Sequence, residues 1–167
     1  GHVLGVAGGE PRSKRRPLSG RRRVPYLAGP VPRTSLHPTM STLPTILSWH
    51  VHVYFDPADS RDRAERVRAG IAARFTVQLG RWHEGLVGPH TAPMYQVAFE
   101  PAVFAGLVPW LALNREGLSV LVHPNTLAPR ADHLEHALWL GTPLPVRSDL
   151  LPERIERARE SPIVPNT

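Results

Sequence analysis

Apolar and polar residues alternate strictly from Leu47 to Phe55, with Leu47, Trp49, Val51, Val53 and Phe55 on one face and Ser48, His50, His52 and Tyr54 on the other. A period of two over this length predicts a strand with one face in a core. Asp56-Pro57 ends it, and Asp59 or Ser60 is placed to cap a helix in which Ala64, Val67, Ile71, Phe75 and Leu79 recur at helical spacing. That helix is expected from about Ser60 to about Leu79, closed by Gly80. Arg81 to Leu86 reads as a short strand, Gly88-Pro89 as a turn, and Met94 to Phe99 as a third strand with Tyr95, Val97 and Phe99 on one face. Pro101 suits the first turn of a second helix, which Phe104, Leu107, Val108 and Leu111 continue and which Pro109 should kink or split. Gly117 stops it, and Leu118 to Val122 alternates as a fourth strand. A polar loop from Pro124 to Asp132, a short helix around His133 to Leu140 and a Pro-rich end follow.

The order β-α-β-β-α-β belongs to the α+β class and predicts a ferredoxin-like arrangement: a four-stranded antiparallel sheet with both helices on one face. Trp49, Val51, Val53, Leu118, Val120 and Val122 are then expected under the helices. The other sheet face should help to build a pocket and to form a dimer surface. Strands one and three are placed as parallel central neighbours, with strand four antiparallel beside strand one. The starts of strands one and three and the end of strand four would then meet. Those places hold His50, His90 and His123, with His52 one step further along the same face.

Composition narrows the chemistry. The 167 residues suit one domain with its own core. There is no cysteine, so disulfides, zinc ribbons, iron-sulfur clusters and thiol catalysis are excluded, and a metal must sit on histidine or carboxylate. No apolar run reaches the roughly 20 residues that cross a bilayer, and no signal-peptide pattern opens the chain, which points to the cytoplasm. The formal charge of +6 is uneven. Residues 1 to 40 hold eight Arg or Lys and one Glu; residues 41 to 167 hold twelve Arg and thirteen acids. The first 40 residues therefore read as a disordered basic tail or a leader, residues 41–150 as the domain and residues 151–167 as a C-terminal extension. A nucleic-acid role would rest on that tail alone and is not favoured.

Seven of the nine histidines lie between His50 and His136. Imidazole is a common ligand for iron, zinc, copper and nickel, so a convergent trio points to a metal site. Mononuclear iron(II) oxygenases often add one carboxylate, for which Glu84, Asp132 and Glu135 are candidates. His133 and His136, three apart, would share a helix face, where a substrate-side acid or base such as His136 can stand. Tyr54 shares the histidine face and can hydrogen-bond a substrate; Arg115 can pair with a substrate carboxylate.

The blocks His50-Val51-His52-Val53-Tyr54-Phe55-Asp56, Gly88-Pro89-His90, Leu118 to His123-Pro124-Asn125-Thr126, and His133 with His136-Ala137-Leu138-Trp139-Leu140-Gly141 resemble the DOPA 4,5-dioxygenase family in order and spacing over residues 46 to 141. The resemblance implies extradiol opening of a catechol ring by oxygen at a histidine-bound iron(II), in a ferredoxin-like, often dimeric protein. Zinc or another divalent ion could occupy such a site. The ligands implied come from His50, His52, His90 and His123, the remaining one acting as acid-base residue. His52, His136 and Tyr54 are the candidate catalytic side chains. The alternative to an enzyme is a dimeric ferredoxin-like module that binds a small aromatic ligand or a metal. Leu127-Ala128-Pro129-Arg130 departs from the more polar stretch that follows His-Pro-Asn-Thr in the family, which bears on substrate choice rather than on the metal.

Overall fold

Burial of one face of the first strand organises the molecule, and the computed structural model describes it over residues 45–156. The expected tail or leader of residues 1–40, and the expected C-terminal extension beyond residue 156, lie outside the described residues. Five strands, β1 Ser48–Tyr54, β2 Gln78–His83, β3 Met94–Phe99, β4 Val120–Asn125 and β5 Leu138–Leu140, form one sheet in the order β2-β3-β1-β4-β5. Every neighbouring pair is antiparallel. The class is α+β. The sheet has one strand more than the four expected, because β5 pairs Leu140, Trp139 and Leu138 with Val120, Leu121 and Val122.

Helices α1, Arg61–Ala72, and α2, Phe104–Asn114, meet the apolar residues of the sheet through one core. Val51, Val53, Val97, Phe99, Val120 and Val122 are fully buried there with Val67, Ile71, Leu107 and Leu111. The expected inward set is in place; Leu118 is buried, and Trp49 is partly buried against Phe104, ring centroids 4.4 Å apart. Full burial of such side chains stabilises by roughly 1.5–3 kcal/mol each.

Several elements differ from the sequence reading for local reasons. α1 stops at Ala72, not near Leu79. The β-branched Thr76 and Val77 favour extended backbone, while Phe75 still reaches Trp110, centroids 5.8 Å apart. Gly80 lies inside β2 rather than ending a helix: a Cβ there would stand 3.1 Å from the Gln96 carbonyl oxygen, beside an irregularity between Leu79 and Trp82. Pro109 sits within α2 without splitting it. It deprives the carbonyl of Ala105 of its donor, and both residues are exposed, so water can serve that oxygen. Finally, the helix expected over His133 to Leu140 is instead α3, Pro129–Leu134, followed by β5. Pairing on β4 overrides the local preference.

Candidate metal centre

The strand residues that do not face α1 and α2 build the second sheet face. β1 brings Ser48, His50, His52 and Tyr54; β3 brings Met94 and Gln96; β4 brings Leu121, His123 and Asn125. The register sets His50 opposite His123, His52 opposite Leu121 and Tyr54 opposite Met94. Polarity changes along this face. Tyr54, Met94 and Leu121 form a small apolar cluster with Trp139 and Leu144 at one end, histidines fill the middle, and Asn125 donates to the Ser48 hydroxyl at the other, 2.7 Å.

Because β1 and β3 are antiparallel, the start of β3 lies beside the end of β1. The parallel placement expected from the sequence is therefore corrected. His90 does not meet the start of β1; its loop is held by a bridge to Val146 and by Arg147 N–H donating to the Pro89 carbonyl, 2.9 Å. That places His90 over His52, ring centroids 4.0 Å apart, and within 2.8 Å of the Tyr54 hydroxyl at Nδ1. His52 thus becomes the hub rather than an accessory. His50, His52 and His123 each present a ring nitrogen within 4.8 Å of the others, and so do His52, His90 and His133.

His133 is the member whose place among the ligand candidates the sequence reading missed. Pro129 at the first position of α3 was the available signal, since it starts the helix early enough to put His133 in the last turn. Its ring packs on His123 with centroids 3.8 Å apart. Asp132 anchors this helix: it is 2 % exposed and accepts from the Thr126 N–H at 2.8 Å and from the Thr126 hydroxyl at 2.8 Å. Asp132 is thus committed to the fold. His136 follows the helix, is exposed, and among the described residues belongs to neither histidine group nor the cavity wall. Glu84 is exposed and paired with Arg61 at 2.8 Å. Arg115 donates to the Leu118 carbonyl, 2.8 Å, packed against the turn at Gly141, and offers nothing to the histidine face.

Hydrogen bonds fix several tautomers. His123 Nδ1–H donates to the Pro124 carbonyl and His133 Nδ1–H to the Pro129 carbonyl, both 2.8 Å, leaving each Nε2 a lone pair. His123 Nε2 lies 3.1 Å from His52 Nε2. Two nitrogens about 2.1 Å from a common ion at nearly right angles stand roughly 3 Å apart. Among the described residues, His52 Nδ1 is buried without a partner. Burial, then the neighbouring imidazoles, hold the pKa of His52 well below the ordinary histidine value; burial chiefly lowers those of His123 and His133, and lowers that of His90 to about 4. The cluster is therefore rich in neutral imidazole acceptors and poor in protons. That donor set fits a divalent metal ion.

A cavity of about 650 Å³ opens over these rings, lined among others by His50, His52, His90 and His133. Leu47, Val87 and Leu150, all exposed, stand in its wall. This is the size and mixed lining of a small-molecule site.

Comparison with known proteins agrees with this geometry. Residues 49–150 match the model of the Dopa 4,5-dioxygenase family. The chain belongs to that family. Among curated relatives it is similar to a DOPA 4,5-dioxygenase from Amanita muscaria, 32% identical over 142 residues that cover 70% of this chain and 62% of the relative. An uncharacterized 21.2 kDa protein from Botryotinia fuckeliana is 32% identical over 118 residues, 62% of this chain and 63% of that protein. The chain thus spans about three fifths of the length of these two relatives. The crystal structure of a candidate dioxygenase from Nostoc punctiforme PCC 73102 is 55% identical, with a TM-score of 0.61 over 63% of this chain and 90% of that chain.

Proposed function

We propose that this member of the Dopa 4,5-dioxygenase family is a non-haem iron(II)-dependent extradiol dioxygenase that opens a catechol ring, with DOPA or a related dihydroxyphenyl compound as substrate and dioxygen as co-substrate. The observation that carries this reading is the gathering of four imidazoles around that of His52 at the base of a cavity large enough for one aromatic ring. Of the two triads, His50, His52 and His123 are the better ligand set. His90 is distinguished by Tyr54. Burial raises the Tyr54 pKa, so the phenol keeps its proton, and among the described residues the acceptor recorded for it is His90 Nδ1. A hydroxyl donating to Nδ1 leaves the proton of neutral His90 on Nε2, which makes that nitrogen a donor rather than a ligand.

When bound, ferrous iron supplies the Lewis acidity that lowers the pKa of a catechol hydroxyl and an open position for oxygen. The chain's own residues supply the rest. His133 Nε2, with its lone pair free of the Pro129 bond, accepts a phenolic proton. His133 gives that proton back as the ring opens, and His90 Nε2–H, held in the donating tautomer by Tyr54, hydrogen-bonds the developing oxyanion. Gln96 reaches His50 Nε2 from the neighbouring strand through its side-chain amide, 3.2 Å away; with the amide oxygen turned to that nitrogen it accepts the Nε2–H and leaves Nδ1 of His50 to the metal. Leu47, Val87 and Leu150 exclude water around the aromatic carbons. Both atoms of dioxygen enter the product, a ring-opened semialdehyde.

Anaerobic loading with iron(II), followed by oxygen uptake over a panel of catechols, tests the proposal. Uptake should require iron and catechol together and should yield a coloured product. His123→Ala should lose both bound iron and uptake, whereas His83→Ala, in edge strand β2, should keep them. An active His123→Ala protein with normal iron content would overturn the ligand assignment. Absence of uptake by iron-loaded wild type on every catechol would overturn the reaction.

A further inference from the structure

The cavity carries a charge signature that selects among catechols, and this inference rests on the ring-opening reading above. Among the described residues that line it, the carboxylates are Glu100 and Asp132, and no Arg or Lys is present. Asp132 is buried and used by Thr126. Glu100 is different: it is exposed, and no side-chain cap bond ties it to the 3-10 turn it precedes. Three of the basic groups on the flanking segments have partners of their own, and a fourth does not line the cavity. Arg130 pairs with Glu153 at 3.2 Å, Arg147 with Asp149 at 3.4 Å, Arg115 is turned to the Leu118 carbonyl, and Arg154 is not among the lining residues.

Position gives Glu100 its meaning. His50 pairs with Ala98 on β3, and Glu100 follows two residues later on the same side of the strand, about 7 Å further along. It therefore stands beyond the metal-binding end of the cavity, on the polar side marked by Ser48 and Asn125, and away from the apolar cluster of Tyr54, Met94 and Leu121. A catechol bound through its oxygens near His50, His52 and His123 would direct a short side chain toward this carboxylate. The reach from the ring oxygens to the end of a two-carbon chain is comparable.

We infer that the site prefers catechols whose side chain is cationic or neutral over those whose side chain is a carboxylate, with Glu100 as the selectivity residue. An ammonium gains a partner at Glu100, while a carboxylate meets a like charge and finds no Arg or Lys in the described wall.

The test compares three catechols that differ only at the end of a two-carbon side chain: an amine, a methyl group and a carboxylate. Anaerobic titration of the iron-loaded protein reads binding, and oxygen uptake reads kcat and KM. The amine should be favoured over the carboxylate by about fivefold or more in Kd and in kcat/KM, as a partly exposed ion pair allows. In Glu100→Gln the amine-to-methyl ratio should fall toward one, chiefly through KM, and in Glu100→Lys the order of amine and carboxylate should reverse. High salt should flatten the wild-type preference. Equal or better binding of the carboxylate by wild type, or an unaltered ratio in both variants, would overturn the inference. If binding shows the charge order but no catechol is opened, the ring-opening reading falls while the selectivity stands.

Discussion

Asp132→Ala should destabilise the protein by about 3 kcal/mol, because the buried carboxylate is the acceptor for two groups of Thr126. The N–H reaches one carboxylate oxygen at 2.8 Å and the hydroxyl reaches the other at 2.8 Å. Each hydrogen bond to a charged group is worth roughly 1.5–3 kcal/mol, and the two are not additive because the same carboxylate must be desolvated to make both. The Thr126 hydroxyl also accepts from the Ala128 N–H at 3.1 Å, so the truncation loosens the turn that starts α3. Against a domain stability of about 5–15 kcal/mol, this is a large fraction. Asp132→Asn keeps one carbonyl acceptor and should lose about half as much. The assay is urea unfolding of metal-free protein, followed by tryptophan fluorescence and circular dichroism. With a slope of about 1.5 kcal/mol per molar, the Ala variant should unfold roughly 2 M earlier. A midpoint shift under about 0.5 M, or equal shifts for Ala and Asn, would refute the argument that this carboxylate ties α3 to β4.

Tyr54→Phe should retain its iron but lower kcat by about tenfold or more, since His90 Nδ1 loses its donor and the ring its fixed tautomer; unchanged kcat would dispose of that role. Metal-free protein should lose stability on acidification. His90 falls to about 4 in the fold against about 6.5 unfolded, so the unfolded state binds the extra proton and His90 alone removes about 3 kcal/mol between those pH values. Flat stability across that window, measured by denaturant midpoints, would contradict the buried neutral cluster. The protein is also expected to form a homodimer; sedimentation as a monomer at high micromolar concentration would exclude it.

The core was legible because period two in β1 and β4 leaves no freedom: a one-residue slip would expose Val51, Val53, Val120 and Val122 together. The same parity put His50, His52 and Tyr54 on the other face, and Gln96 could have been read from β3 in the same way. What local pattern could not supply was strand direction. A parallel placement of β1 and β3 and the observed antiparallel one obey the same alternation, yet they send His90 to opposite ends of β1. Histidine convergence was thus anticipated through a wrong geometry, and the true contact runs through Tyr54 and His52. β5 was hidden for another reason: Leu138-Trp139-Leu140 is too short to declare a period, and its pairing partner on β4 decides its state.

The second sheet face departs from what stability alone would choose, and the departure points to use. Four imidazoles with lowered pKa values are packed where aliphatic side chains would cost less, and His52 Nδ1 has no partner among the described residues. The surroundings do not relieve this with protons: two of the rings spend their N–H on backbone carbonyls, and Tyr54 caps a third. Each bond turns a lone pair or a fixed donor away from the backbone and toward the cluster. Such consistent orientation across β1, β4, α3 and the loop before β3 needs several independent local solutions to agree. It does little for folding, because a proton-poor cluster resists acid poorly and leaves one buried ring nitrogen, Nδ1 of His52, unsatisfied among the described residues. A cation between His52 and His123 would take the Nε2 lone pairs of both rings, and the N–H left over at His90 is then placed beside it as a hydrogen-bond donor.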